Sequence, residues 1–238
     1  MMLFLDLNDD VIIPIIAVFG FSFMILSAFL FYYFSNAQKI IRTLSKLPIK
    51  QIGVLKNNEF TRFSGKALNV NQHLIAPFSK RKCVFYIIKI QQKKQGSKKS
   101  YWETLVDEEK IQKFFLENNG EFALISPTEN PKNYIRHIIF DKTIDSKSLD
   151  NSKLEFETLV KHYNLDKKSS YNSNKPLRYS EAIIEVGEQI TVAGFAKWKT
   201  LTTPIKGYSY SKIAELESSD KQKLIITDLP NIKSKKRV

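Results

Sequence analysis

The stretch from Val11 to Phe34, VIIPIIAVFGFSFMILSAFLFYYF, carries no charged side chain, and no other part of the chain restricts the fold so severely. At 1.5 Å per residue, about 20 apolar residues in a helix cover the roughly 30 Å hydrocarbon core of a bilayer, and this run is slightly longer. A helix also pairs its own backbone amides, which lipid cannot do for it. Pro14 lies near the start of the run, where the hydrogen bond it removes is one that a helix end lacks anyway. Tyr32 and Tyr33 stand at the far end, where an amphipathic ring suits the headgroup layer. A cleaved signal peptide would open on basic residues, whereas residues 1–10 hold Asp6, Asp9 and Asp10 and no Lys or Arg. A soluble core helix would show polar residues at helical intervals, and only Ser22 and Ser27 interrupt. The segment 11–34 therefore reads as a transmembrane helix.

Its flanks set the orientation. Lys39, Arg42, Lys46 and Lys50 follow the run before the first acidic residue, Glu59. The positive-inside rule predicts a single-pass protein of the cell membrane, with the leader 1–10 outside and the C-terminal portion in the cytosol. The basic segment 35–50 either rests on anionic headgroups, at about 1 kcal/mol per charge, or serves only as a topological stop signal. The lipid bilayer is thus the first expected partner.

Beyond the span some 200 residues remain, enough for one sizeable core. The net charge of +13 raises the question of nucleic acid. The charge is dispersed, however, over the juxtamembrane segment, the run Lys93–Lys99 and the tail 231–238, and such clusters are usually solvated. Nucleic acid is accordingly not the expected partner, and a basic barrel that binds it stands as an alternative. A single cysteine, Cys83, excludes an intrachain disulfide and any zinc site built from paired cysteines. His73, His137 and His162 are too scattered for a zinc-protease pattern, and none of the 8 glycines sits in a phosphate loop. No cofactor, metal ligand or catalytic residue is therefore expected. Cys83 itself lies inside CVFYIIKI and reads as a small buried apolar group.

Past Pro48 the period changes from helical to alternating. Ile52, Val54 and Leu55 lead into the turn signal NNEF, and Phe60, Arg62 and Ser64 open a strand. The runs CVFYIIKIQ and YWETLV flank KKQGSKK, which predicts a hairpin with a long basic loop. FFLENNGEFALIS from Phe114 predicts a second hairpin turning at Asn118, Asn119 and Gly120, and a further strand is expected at Tyr134–Phe140. Residues 141–176 read as a polar insertion holding one helix, SKLEFETLVKHYNL, with Ser152 as its cap. Leu177–Lys199 predicts a third hairpin turning at Gly187-Glu188, with Ile183 or Ile184, Ile190, Val192 and Phe195 inward. Short runs at Ile213–Leu216 and Leu224–Ile226 close the domain 51–230. The expected class is α+β, mainly β: one N-terminal transmembrane helix followed by a partly closed barrel or sandwich.

Three stretches taken together, LIAPFSKRKCVFY, Trp102 with FFLENNGEFALISP, and LRYSEAIIEVGEQITVAGFA, resemble the GIDE ("beside a membrane") domain over most of Pro48–Lys199. That domain belongs to the mitochondrial RING-type E3 ubiquitin ligases and their bacterial relatives. The resemblance implies a RING-less relative of the bacterial kind, because ubiquitin transfer in the ligases rests on a RING whose cysteine and histidine ligands have no counterpart here. No catalytic or zinc-binding residue is carried over. An E3-type transferase activity, by resemblance alone, is the enzymatic alternative.

A possible recognition surface is drawn from Tyr86, Trp102, Arg178, Tyr179 and Glu181. The aromatics Tyr86, Tyr101, Trp102 and Tyr179 either line a groove for an extended peptide or pack across strands. Glu181 is either part of that surface or a strand carboxylate at the sheet edge or paired with Arg178. Asp107, Glu108 and Glu109 read as a solvated turn. The expected function is a membrane-anchored interaction or scaffold module whose cytosolic domain holds a membrane or membrane-proximal protein, with tethering raising its effective concentration.

Overall fold

A computed structural model describes residues 9–145, 153–201, 208 and 210–229, with side chains from Ile16 in the first helix and from Glu157 in the third. The chain divides into two units, Met1–Thr43 and Leu44–Val238. The predicted cap Ser152 and the basic tail 231–238 lie outside the described residues.

The first unit is helical. Helix α1 (Asp9–Phe34) contains a 19-residue stretch, Ile16–Phe34, that is long and apolar enough to cross a membrane, and none of it is buried. Phe19 and Phe31 are 72% and 80% exposed, a state water penalises and hydrocarbon does not. The helix does not run on unbroken toward Pro48. It stops at Ser35, and a second helix, α2 (Asn36–Ser45), starts there. Ser35 is the reason: its Oγ accepts the Gln38 N–H at 3.3 Å, the first-turn bond of an N-cap in an S-x-x-Q setting. Gln38 in turn donates to the Tyr32 hydroxyl at 2.8 Å, and Arg42 lies 3.8 Å over the Tyr33 ring.

The second unit is built from two sheets. Strands β1 (Glu59–Asn69), β5 (Phe114–Asn118), β6 (Glu121–Ile125), β10 (Gln189–Thr200) and β11 (Lys212–Glu217) pair in the order β1-β5-β6-β11-β10, and β10 returns to β1. The ring is closed, with β6 and β11 parallel and the other contacts antiparallel. This is a five-stranded Greek-key barrel of the OB type. Strands β12 (Leu224–Thr227) and β7 (Tyr134–His137) extend from β10 as a flap. The second sheet is a half-barrel of β2 (Leu74–Ile75), β3 (Lys82–Gln95), β4 (Ser100–Ile111), β8 (Lys142–Asp145) and β9 (Leu177–Glu185), centred on β3 and β9. Helix α3 (Lys153–His162) and a short 3-10 turn at Leu165–Lys167 accompany it.

Local chemistry explains most of these elements. Asn119 and Gly120 take φ of 53° and 80°, the two positive values a tight β5–β6 hairpin requires. At Gly65, where β1 changes partner from β10 to β5, an added Cβ would stand 2.4 Å from the Glu117 carbonyl oxygen, so only glycine lets β5 approach and the barrel close. Barrel core and half-barrel core are separate. Phe63, Phe114, Leu116, Ile125, Val192 and Leu216 belong to the first, which also takes Phe85, Ile87, Ala182 and Ile184 from one face of the half-barrel. The opposite face contributes Tyr86, Ile88, Ile90, Tyr179 and Ile183 to the second, together with Leu159 of α3.

Five sequence expectations change in this unit. Phe195, expected inward with Ile190 and Val192, stands at an odd position where the inward ones are even, and it packs on Phe60 outside the core. The basic loop is shorter than expected: β3 runs to Gln95 and β4 resumes at Ser100, so Lys93 and Lys94 pair with Trp102 and Tyr101 and only residues 96–99 form the turn. Asp107–Glu109 lie within β4 rather than in a turn. The run 177–199 turns at Gly187 (φ 95°) as expected, but β9 and β10 part into different sheets instead of forming a hairpin. Strand β8 falls inside what read as a polar insertion, and pairs with β9.

Candidate functional site

The half-barrel has two faces, and they divide the five residues of the expected recognition surface. Along β9, Tyr179 and Glu181 are wholly buried while Arg178 and Ser180 are half-buried. Tyr86 on β3 is 5% exposed and lies on the same buried side. Only Trp102 and Arg178 stand on the other side, where they meet.

Glu181 is neither at a sheet edge nor paired with Arg178. Strand β9 is flanked by β3 and β8, and residues three apart on a strand point to opposite faces. The Glu181 carboxylate instead accepts the Tyr179 hydroxyl at 2.8 Å and the backbone N–H groups of Phe78 and Ser79, each at 3.2 Å. It holds the turn between β2 and β3, whose amides have no strand to pair with. The Phe78 ring packs 4.6 Å from that of Tyr179. Burial first, and then the Glu181 charge, raise the Tyr179 hydroxyl far above the ordinary tyrosine range. The same two causes push the buried Cys83 thiol to about 12, so it is a packing group rather than a nucleophile at neutral pH. Tyr86 donates to Glu108 at 2.7 Å. Burial, the largest influence, works to raise Glu108, but this bond, the Tyr163 hydroxyl and Lys110 together outweigh it and the carboxyl sits below its ordinary value. Glu109 joins the half-barrel to the flap: it accepts Arg136 Nη2–H and Lys132 Nζ–H, both at 2.7 Å, and the Tyr134 hydroxyl. Burial again opposes, yet these donors lower Glu109 to about 2. All of this chemistry is internal.

The open face is different. At the barrel end this side is covered, but from Lys89 onward it is bare, and Gln91, Lys93, Trp102, Thr104 and Arg178 share it by register. Arg178 donates through Nε and Nη2 to Gln91 Oε1 at 3.1 and 2.7 Å, which fixes its plane. Its guanidinium lies 4.4 Å over the Trp102 ring. Gln91 donates in turn to Thr104 at 3.2 Å. The result is a preorganised Arg–Trp stack, partly exposed, on a polar sheet face.

A cleft of about 370 Å³ opens elsewhere, on the closed barrel. The start of β6 supplies Glu121 and Phe122, β10 supplies Trp198, the first residue of β11 is Lys212, and Tyr208 and Tyr210 come just before it. The Trp198 indole N–H donates to the Leu55 carbonyl at 3.0 Å, and the Tyr208 hydroxyl to the Lys212 carbonyl at 2.7 Å. Tyr208 also stacks on Phe115 at 6.2 Å and meets Phe122 edge-on at 5.9 Å. Sequence reasoning missed this site. Its only local signal is the alternation of Tyr208 and Tyr210 in GYSYS.

Of the juxtamembrane cations, Lys39 and Lys46 are exposed, Arg42 is engaged with Tyr33, and Lys50 pairs with Glu59. Among the described residues no group of three or more His, Cys, Asp or Glu is placed to hold a metal ion. Comparison with protein-family models, with curated proteins and with solved structures returns no match for this chain.

Proposed function

We propose that this chain is a single-pass membrane protein whose domain, held at the cytosolic face, binds a partner protein through the open face of the half-barrel. The observation that carries the reading is the Trp102–Arg178 stack, oriented by Gln91 on a sheet face whose residues are partly exposed among the described residues. Tryptophan and arginine are the residue types that most often anchor protein interfaces, and a pair held rigid beforehand loses little entropy on docking. The apolar helix supplies the tether, which turns a weak contact into a local one. Lys39, Arg42, Lys46 and Lys50 after the span, against no Lys or Arg in residues 1–10, support the orientation with residues 1–10 outside the cell membrane. The resemblance to the GIDE domain points the same way, toward work beside a membrane.

Proximity labelling in cells tests this with three chains: the full protein, the Trp102→Ala/Arg178→Ala double variant, and a form lacking residues 1–35. The full chain should give a partner set that shrinks with either change. Identical partner sets from all three would sink the proposal, and recovery of nucleic acid in place of protein would replace it with the basic-barrel alternative.

A further inference from the structure

The aromatic cleft on the closed barrel is independent of the open sheet face, and its lining has a chemistry of its own. Its rings do not lie parallel. Phe122 meets Tyr208 at 75°, and Tyr208 meets Tyr210 at 58° with centroids 5.4 Å apart. Parallel exposed faces suit stacked flat bases. Rings packed edge-to-face present a corner rather than a stacking slot, which suits a rounded group, and aromatic faces attract a cation.

One acid and one base complete the lining. Glu121 Oε2 accepts the Gly53 N–H at 3.2 Å, which holds the carboxylate at the cleft wall. The parallel register Ala214↔Ala123, continued two residues back, sets Lys212 beside Glu121 on the neighbouring strand. Directly opposed residues share a face. Yet Glu121 and Lys212 do not pair with one another among the described residues, whereas Lys197 and Lys199 on adjacent β10 are tied to Glu215 and Glu217. The cleft thus offers an anion and a cation side by side, within an aromatic wall.

The geometry points to a binding site for a small zwitterion that carries a methylated ammonium group and an anionic group, the chemistry of phosphocholine. The ammonium sits among Phe122, Trp198, Tyr208 and Tyr210 with Glu121 beside it, and the phosphate meets Lys212. The same group occurs free in solution and as the headgroup of a lipid.

The chain has two tryptophans, Trp102 and Trp198. In the full chain carrying Trp102→Phe, kept in a maltoside detergent, indole emission reports on the cleft alone. Phosphocholine should change that emission saturably. Choline, which lacks the phosphate, should bind about tenfold more weakly, and 3,3-dimethylbutyl phosphate, which has a tert-butyl group in place of the ammonium, weaker still. Glu121→Gln should weaken phosphocholine about fivefold, while Lys212→Gln should bring phosphocholine to the level of choline. Each variant is on the surface, and an unchanged melting temperature certifies the fold. In nanodiscs, a lipid source predicts that phosphatidylcholine discs abolish the response to added phosphocholine while phosphatidylglycerol discs preserve it; equal responses in both identify a free ligand. No saturable change with phosphocholine, or equal binding of the tert-butyl analogue, overturns the assignment. Neither result touches the open face, whose partners are read by labelling.

Discussion

The closed barrel and the half-barrel solve the same problem differently. In the barrel every strand has two neighbours, so the ring satisfies its own backbone and its core is filled by Phe63, Phe114, Leu116, Ile125 and their neighbours. The half-barrel ends at β4 and β8, and the turn between β2 and β3 folds back over its core without a strand to pair with. A buried carboxylate, Glu181, takes that turn's amides instead. An ionisable group in this core is therefore the consequence of an open sheet, and its perturbed neighbours, Tyr179 and Cys83, follow from it. Perturbed groups attract functional readings. Here the geometry accounts for them as structure.

The sharpest break of this comparison comes from truncation in each core. Phe63→Ala in the barrel leaves a cavity lined by rigid strands and should cost about 3–5 kcal/mol, read by denaturant unfolding of the full chain in detergent. Glu181→Ala should cost about 3 kcal/mol by another route: two amides and a hydroxyl are left without an acceptor. Glu181→Gln separates the two effects, since the amide oxygen still accepts. If Glu181→Ala proved as mild as a surface change, the carboxylate would not be holding the turn.

Acid sharpens the comparison at the joint between the sheets. Glu109 on β4 holds Arg136 and Tyr134 of β7, and its carboxyl is lowered from the ordinary 4.5 to about 2. A lowered folded value means that the contribution is complete above pH 4.5 and is lost as pH falls through that window toward 2. The melting temperature of the full chain should drop across that range, and Glu109→Gln should be less stable at neutral pH with a shallower acid dependence. A drop identical in Glu109→Gln would assign the acid sensitivity to other carboxylates.

Much of this was legible in the chain before folding. The apolar run 11–34, the turn at Asn119-Gly120 and the alternation in β10 each depend on neighbours a few residues away, so their signal is local. The Ser35 cap was also there to be read, as S-x-x-Q after the tyrosine pair. So was the parity of β9: Arg178 and Glu181, three apart on a strand, point to opposite faces, while Tyr179 and Glu181, two apart, share one. What could not be read was non-local. The separation of β9 from β10 is decided by which strands each meets, and those lie as far away as β1 and β3. The cleft gathers residues from 53 to 212, and no sequence window holds them together. Strand β8 was hidden by its polar surroundings, because a short edge strand buries only Ile144.

The smallest effect tests the two faces of one strand against each other. Arg178 and Trp102 are half-buried and make a cation–π contact in a site open to water, where such a pair contributes about 0.5–1 kcal/mol. A double-mutant cycle of Arg178→Ala and Trp102→Ala should therefore show a coupling of that size. Each single variant should fall well short of the loss expected for Glu181→Ala, three residues along the same strand. If the coupling were instead several kcal/mol, the stack would belong to the core and the face would not be free to receive a partner. A small coupling combined with lost partner labelling is the pattern of a binding surface: residues whose removal barely unsettles the fold but abolishes what the fold presents.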